Sequence, residues 1–414
     1  MPERPLASIR VMDGWASDLR SFNVADPTFS VRSPEIRAAR DEGWYVRTNY
    51  GIAVLRYDQV DRLLTDRRLK QGSAAWPGHH GVRGGPFADW WSESVLNQEG
   101  ADHVRLRKLV TPAFSRRLIS EMAPRFRELA NELIDSFEPR GRCEFVSEFA
   151  EPYATRVICG LLGLPEERWE TFARWSATIG LGLGVTIAQD LPQIEEALQG
   201  LFGYADELIE DRRANPGDDF TSRLVLAHVE GDRLSDRELR VMLVLLIFGG
   251  IDTTRNQLGL AMHAFLENPG QWRLLGERPE LGPAAVEEIM RVRPTVTWVT
   301  REATQNFEFD GLDIEEGTTM HLFAESAGTD PLVIQDDGFD LTAARPEHFG
   351  FGAGVHHCLG HYVARIDMAT AMPLLADRLR DPELDGEAKF LPDSGNTGAV
   401  ELPIRFSTAT RTSQ

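Results

Sequence analysis

The stretch Phe349–Gly360 constrains this chain more than any other. It holds four glycines and one cysteine, Cys358, and runs directly into a helical pattern over His361–Met368. Glycine permits backbone angles and close approaches that a Cβ forbids. The cysteine falls where a helix begins, and there free backbone N–H groups and the positive end of the helix dipole favour an anion. The sequence therefore predicts a thiol with a lowered pKa beside a loop of little bulk, on which something large and flat could settle. On these grounds alone other roles stay open for Cys358: a small buried hydrophobe, or a nucleophile served by a nearby histidine. A zinc site is disfavoured. The adjacent His356, His357 and Cys358 cannot easily close around one ion, and no second Cys or His cluster stands at zinc spacing.

Most of the remaining chain reads as helix. Apolar periodicity predicts helices near 102–111, 117–137, 147–161, 166–182, 192–213, 219–229, 235–265, 270–276, 280–292 and 360–380, with a short one at Ser33–Asp41. A hairpin is predicted around Asn49-Tyr50-Gly51, followed by a helix with Asp58 as its N-cap. Strand signals recur at Asn306–Phe309, Thr318–Leu322, Lys389–Leu391 and Val400–Arg405. Between residues 71 and 95, glycines and prolines break regular structure while Trp76, Phe87, Trp90 and Trp91 are interleaved. That reads either as a packed surface loop or as a lid over a substrate. Without βαβ alternation, repeats or a linker, the expectation is one mainly α domain with small peripheral sheets.

Charge and cysteine usage exclude several roles. Lys and Arg number 44 against 64 Asp and Glu, a net charge of −20, so no basic excess exists to neutralise phosphates or an anionic membrane. Cys143, Cys159 and Cys358 make no disulfide framework, which suggests a reducing compartment. The opening Met1-Pro-Glu-Arg-Pro shows no signal peptide, and the longest apolar run, Val241–Phe248, is far too short to span a bilayer. A cytoplasmic protein that binds neither nucleic acid nor membrane is expected.

Three further constellations carry chemistry. In Leu245–Asn256 an apolar half-helix meets Gly249, Gly250, Asp252, Thr253 and Thr254. Mid-helix glycines cost stability, and buried Asp and Thr need partners. The segment is either a kinked core helix with back-bonded Thr hydroxyls, or an opening that carries a polar pair into an apolar cavity. Glu288 and Arg291 lie at i, i+3, which alone suggests a solvated ion pair. His103 and Arg107, at i and i+4, share one helix face.

Together these motifs resemble the cytochrome P450 family, soluble bacterial type, over residues 30–407. Phe351-Gly352-x-Gly354-x-His356-x-Cys358-x-Gly360 matches its haem-binding loop at every fixed position, and Gly249-Gly250-x-Asp252-Thr253, Glu288-x-x-Arg291 and His103-x-x-x-Arg107 stand in the family's order. The resemblance implies a single large P450-type domain over residues 31–407, between an irregular segment 1–30 and a tail 408–414. It implies haem b with Cys358 as the axial iron ligand. Phe351, Gly352, Gly360 and Gly249 would bind the cofactor, and His103, Arg107, Arg301 and His356 would meet its propionates. Thr253 would stabilise iron-bound dioxygen, and Asp252 would relay protons. Arg345 would join Glu288 and Arg291 in a buried brace for the cysteine loop.

The implied reaction inserts one atom of dioxygen into a C–H or C=C bond. Its electrons would come from a separate ferredoxin (or flavodoxin) and its reductase, docking on Arg105, Lys108, Arg116, Arg117 and Arg365. By position, the pocket would draw on Trp76–Leu96, Ile179–Val185, Leu245, Phe248, Val296–Val299 and Thr397–Val400. These residues suit a hydrophobic, medium-sized substrate: terpenoid, steroid, fatty acyl or polyketide-like. The alternatives are a peroxide-using or isomerising haem-thiolate enzyme and a non-enzymatic haem-based gas sensor. The chain departs from the family pattern at Glu99-Gly100-Ala101, where two prolines are usual, at Gly328-Thr329 in place of Asn-Arg, and at Tyr362, where proline is frequent. The first two put local hydrogen bonding in question, and the third the start of the helix after Cys358.

Overall fold

The structure, a computed structural model, describes residues 20–229, 232–393 and 395–408. Its helices are α1 (Pro34–Glu42), α2 (Tyr57–Leu64), α3 (Trp76–His79), α4 (Pro86–Glu93), α5 (Gly100–Val110), α6 (Arg116–Phe137), α7 (Glu151–Leu162) and α8 (Trp169–Gly180). They continue with α9 (Ile187–Ala214), α10 (Phe220–Val225), α11 (Asp236–Glu267), α12 (Pro269–Glu277), α13 (Gly282–Val292), α14 (Ala324–Gly328) and α15 (His361–Arg378). The long α11 is the axis. A capping box starts it, with the Ser235 side chain accepting from Glu238 N–H and the Glu238 side chain accepting from Ser235 N–H. Its apolar first half has no solvent-facing stripe, and it packs against α7, α8 and α9. Helix α15, which also contributes to the cavity described below, packs against α6, α12 and α13.

A six-stranded sheet flanks the helices, in the order Ser21–Phe22, Tyr45–Thr48, Gly51–Val54, Thr319–Phe323, Trp298–Ala303, Leu69–Gln71. The predicted hairpin forms its centre, with Thr48 opposite Gly51. A Cβ on Gly51 would lie 2.0 Å from Thr319 O, so the parallel pairing of Gly51 with Thr319 needs glycine. Of the expected irregular segment 1–30, residues 1–19 lie outside the described residues, and Ser21–Phe22 pairs with Arg47–Thr48. The expected tail begins at Thr408, the last residue of the strand Pro403–Thr408; residues 409–414 lie outside the described residues.

Two local expectations differ from the structure. Asp58 does not cap α2: Arg56 holds the N-cap position without a side-chain bond, while Asp58 sits in the first turn beside Arg62. Residues 71–95 are not irregular throughout, because α3 and α4 form there. Pro77 and Pro86 occupy the first turn of each, where a missing N–H costs nothing, and Gly85 enters α4 with φ 104°. The strands Leu69–Gln71, Trp298–Ala303 and Leu379–Leu384 were not legible, the first because three residues are too short to show a period and the others because neither alternates cleanly between a buried and an exposed face.

One buried group yields a stability prediction. Asp367 on α15 is 1% exposed and neither carboxyl oxygen meets a side-chain partner. Burial pushes its pKa well above the ordinary 3.8, against only the neighbouring Met368 N–H. The folded chain thus holds a proton that the unfolded chain releases. The associated stability is full below about pH 4 and declines as pH rises toward the folded pKa. Asp367→Asn should therefore stabilise the protein at neutral pH by about 1–3 kcal/mol, with little gain at pH 4, in urea unfolding at both values.

Candidate active site

The loop before α15 folds back on itself. Gly352 N–H donates to Phe349 O (2.8 Å) and Cys358 N–H donates to Phe351 O (3.0 Å). Gly352 and Gly354 have φ of 65° and 70°, a region that disfavours side chains. Arg365 stacks over the Phe351 ring at 4.4 Å and donates to Glu287 Oε1 (2.6 Å), which ties the loop to α13. Helix α15 begins at His361 despite Tyr362, which packs on the His361 ring at 4.0 Å. The Cys358 thiol does not show the lowered pKa that its position suggests. Burial raises it, and the Gly360 and His361 N–H groups and the Arg107 and Arg365 guanidiniums only partly offset that.

Cys358 lines a mainly apolar cavity. Residues of α11, helical without a break from Asp236 to Glu267, line it too. The two glycines divide the work. A Cβ on Gly250 would meet Ile158 Cδ1 of α7 at 2.5 Å, so Gly250 permits helix packing. A Cβ on Gly249 would meet nothing within 4 Å, so Gly249 opens the cavity. Thr253 Oγ1 donates to Gly249 O at 2.5 Å, the back-bonded arrangement, and both Thr253 and Thr254 line the cavity. Asp252 is fully buried behind them and receives Arg255, Asn256 and Asn396.

The four residues expected to meet propionates come together on the cavity wall. The His103 and His356 rings lie 4.2 Å apart. Arg107 donates to His357 O (2.8 Å), and Arg301 to Gln71 Oε1 (2.6 Å). Burial lowers the Arg301 pKa to about 10 and pulls that of Arg107 down, and burial with the nearby His356 and Arg107 takes His103 to about 4. Neither arginine has a carboxylate within ion-pair distance, unlike most arginines of the structure. Two desolvated guanidiniums facing one cavity suit a dianionic ligand. Together with Cys358 and the space beside Gly249 and Gly360, where an added Cβ would meet nothing within 4 Å, the residues present fit a haem.

Sequence reasoning missed one member of this group, Glu99. Its Oε1 accepts from His356 Nε2 (3.0 Å) and from Gln71 N–H, so it joins both ends of the segment 71–99 to the cysteine loop. The signal was available as the departure from two prolines.

The brace is buried. Glu288 is 3% and Arg291 1% exposed, so the solvated-pair reading of these two fails. Arg291 Nε and Nη2 grip Glu288 at 2.7 and 2.6 Å, Asp340 N–H donates to Glu288 at 3.0 Å, and Arg345 Nη2 at 3.3 Å. Arg291 also donates to Gly328 O and Gly338 O. Gly328 is required here, since a Cβ would lie 2.7 Å from Arg291 O. At the other departure, Arg40 of α1 donates to Ser326 O (2.6 Å) and Thr329 Oγ1 (2.8 Å), so a guanidinium reaches this corner from another part of the chain. Gly350 packs on the same helix as the brace, where a Cβ would stand 2.7 Å from Met290 Cε.

The expected basic patch is largely neutralised. Arg105 pairs with Asp232 and Glu238, Arg117 with Glu121, and Arg365 with Glu287. The cavity wall includes Trp76, Trp91, Leu183, Leu245, Phe248 and Trp298. It draws on Gly395 and Asn396 in place of Thr397–Val400, and on Phe114, Ile158 and Leu161, which sequence position did not suggest. Among the described residues no helix is long and apolar enough to cross a membrane.

Comparison with known proteins agrees with this geometry. The Cytochrome P450 family model matches residues 184–277 and 277–380. The chain is 40% identical to the luteothin monooxygenase of Streptomyces thioluteus over 95% of its own length and 98% of that protein's. It is 34% identical to the steroid C26-monooxygenase of Mycobacterium tuberculosis over 76% and 86%. The solved structure of the Bacillus subtilis 168 bacillaene polyketide synthase cytochrome P450 PksS superposes with a TM-score of 0.84 at 28% identity, covering 94% of this chain and all of that one. Identity of 40% over nearly the whole of both chains, with the family model matched over residues 184–380 and a cavity lined by the cysteine loop and the glycine-opened helix, places this chain in the cytochrome P450 family of haem b monooxygenases.

Proposed function

We propose that Cys358 is the axial ligand of haem b and that the chain oxygenates an apolar, medium-sized substrate held between Cys358 and α11. One observation carries this reading: Cys358 and the Gly249, Gly250, Thr253 and Thr254 positions of α11 line one and the same cavity. Bound haem supplies the activation of dioxygen. The protein's residues do the rest. The Gly360 and His361 N–H groups, with Arg107 and Arg365, favour charge on the sulfur. His103, Arg107, Arg301 and His356 hold the propionates. Thr253 offers a hydroxyl to the reacting side, and Asp252 connects through Arg255 to Glu151 near the surface, 3.6 Å from Arg255 Nη1, which supports a proton route from solvent. The aromatic and aliphatic lining excludes water from the reaction.

Polar cavity groups are largely occupied within the protein, which supports a hydrophobic substrate. Gln257 bonds Arg293 O and Thr295 N–H, and Ser73 bonds Asn97. The steroid and polyketide systems named for relatives favour polycyclic or polyketide-like molecules over short ones. Electrons come from a ferredoxin or flavodoxin with its reductase, in the cytoplasm. The exposed Val104 and Val355, beside the closely packed, tilted rings of His103 and His356, and the exposed Arg116 support docking on this side. A screen of steroids, terpenoids, fatty acids and polyketides for a low-spin to high-spin shift tests the substrate class. No shift from any apolar class would sink it.

Thr253→Ala should keep haem and substrate binding but divert reducing equivalents to peroxide, lowering product per electron by about 10–100-fold. Unchanged product per electron would remove Thr253 from the chemistry.

A further inference from the structure

Asp252 meets only donors. Oδ1 accepts from Arg255 Nη2 at 3.0 Å, and Oδ2 accepts from Asn256 Nδ2 at 3.1 Å and Asn396 Nδ2 at 2.7 Å. The Thr295 hydroxyl lies 2.6 Å from Thr397 O, to which it donates, and 3.0 Å from Asn396 Oδ1, while Asn256 Oδ1 accepts from Arg255 Nη2 (3.0 Å). Turning the Asn256 amide would lose a buried bond, and turning that of Asn396 would set its oxygen against the Asp252 carboxylate, two acceptors face to face. Backbone closes the remaining space: a Cβ on Gly180 of α8 would lie 2.9 Å from Asp252 Oδ1, and one on Gly398 would lie 2.4 Å from Asn256 Oδ1. The charged groups facing Asp252 are Arg255 and, beyond it, Glu151 of α7.

Burial pushes the Asp252 pKa above the ordinary carboxylate value, and the donors, Arg255 and Asn396 among them, oppose this by favouring the ionised form, so loss of a donor raises the proton affinity further. Two of the three donors ride on α11 with Asp252 itself. Asn396 alone comes from elsewhere, from a turn whose Gly395 and Asn396 line the cavity. Two backbone bonds hold that turn to the neighbouring cavity wall, Thr297 N–H to Gly395 O (2.9 Å) and Thr397 N–H to Thr295 O (2.8 Å). We propose that Asn396 is a positioning residue whose amide donor favours the ionised form of Asp252 and thereby couples the substrate-facing turn to proton delivery. The inference rests on the reading of Asp252 as the relay acid.

Two substitutions test it. Asn396→Leu deletes the donor. Asn396→Asp keeps the shape but sets a second carboxyl against Asp252, and paired carboxyls resist double ionisation. The proton affinity of Asp252 should rise about tenfold with leucine and further with aspartate. The pH profile of product formed per electron should then move up by about one unit or more. In the resting haem-loaded protein, infrared difference spectra of Asn396→Asp minus wild type near neutral pH, in which the Asp367 contribution cancels, should show an added protonated-carboxyl band that the further Asp252→Asn change removes. If both variants keep the wild-type profile and no band appears, while Asp252→Asn alone alters the profile, the role of Asn396 is overturned and the relay stands. If Asp252→Asn itself keeps wild-type coupling and profile, the relay reading falls, and the inference with it.

Discussion

Carbon monoxide added to the reduced protein should give the far red-shifted Soret band of a thiolate-ligated haem, and Cys358→Ser should lose both that band and detectable product. The expectation rests on exclusion as well as geometry. Cys143 and Cys159 are buried, burial pushes both thiols up (Cys159 to about 12), and neither lines the cavity. Cys358 lines it, and it has two N–H groups and two guanidiniums to favour its charge. Thiolate donation to iron is what promotes O–O cleavage, so a serine oxygen leaves a haem protein without the oxygenase reaction. Retention of the shifted band by Cys358→Ser would assign the ligand elsewhere.

The second large effect falls on Glu288 and Arg291, which touch no cavity group. Glu288→Ala should cost about 3–5 kcal/mol, because it leaves the Arg291 charge buried and unpaired. That is a large share of the roughly 5–15 kcal/mol by which a folded chain is stable. Arg291→Lys should not rescue the site. Arg291 uses three nitrogens to reach Glu288, Gly328 O, Asp337 O and Gly338 O, and a single ammonium cannot span that set. Replacing both partners by methionine should cost less than either single change, since no charge is then stranded. The checks are denaturant midpoints and the yield of haem-loaded protein. A cost below about 1 kcal/mol for Glu288→Ala would mean an exposed, screened pair.

What the chain determines locally was legible from residues alone. The loop glycines, the start of a helix after Cys358, the long helix predicted over 235–265 and the shared faces of His103/Arg107 and Glu288/Arg291 follow from short-range geometry, which the spacing of residue types encodes. The order of the motifs pointed to the fold. Tertiary structure alone decided the energetics. Burial reversed the expected shift of the Cys358 thiol, because the helix start that favours its charge sits in a desolvated wall. It turned Glu288 and Arg291 from a surface pair into a brace, and partners distant in sequence neutralised Arg105. Arg40 reaches Thr329, Glu99 reaches His356, and Asn396 reaches Asp252, across 144 residues in the last case. Desolvation and long-range partners depend on which segments meet, and no local spacing records that.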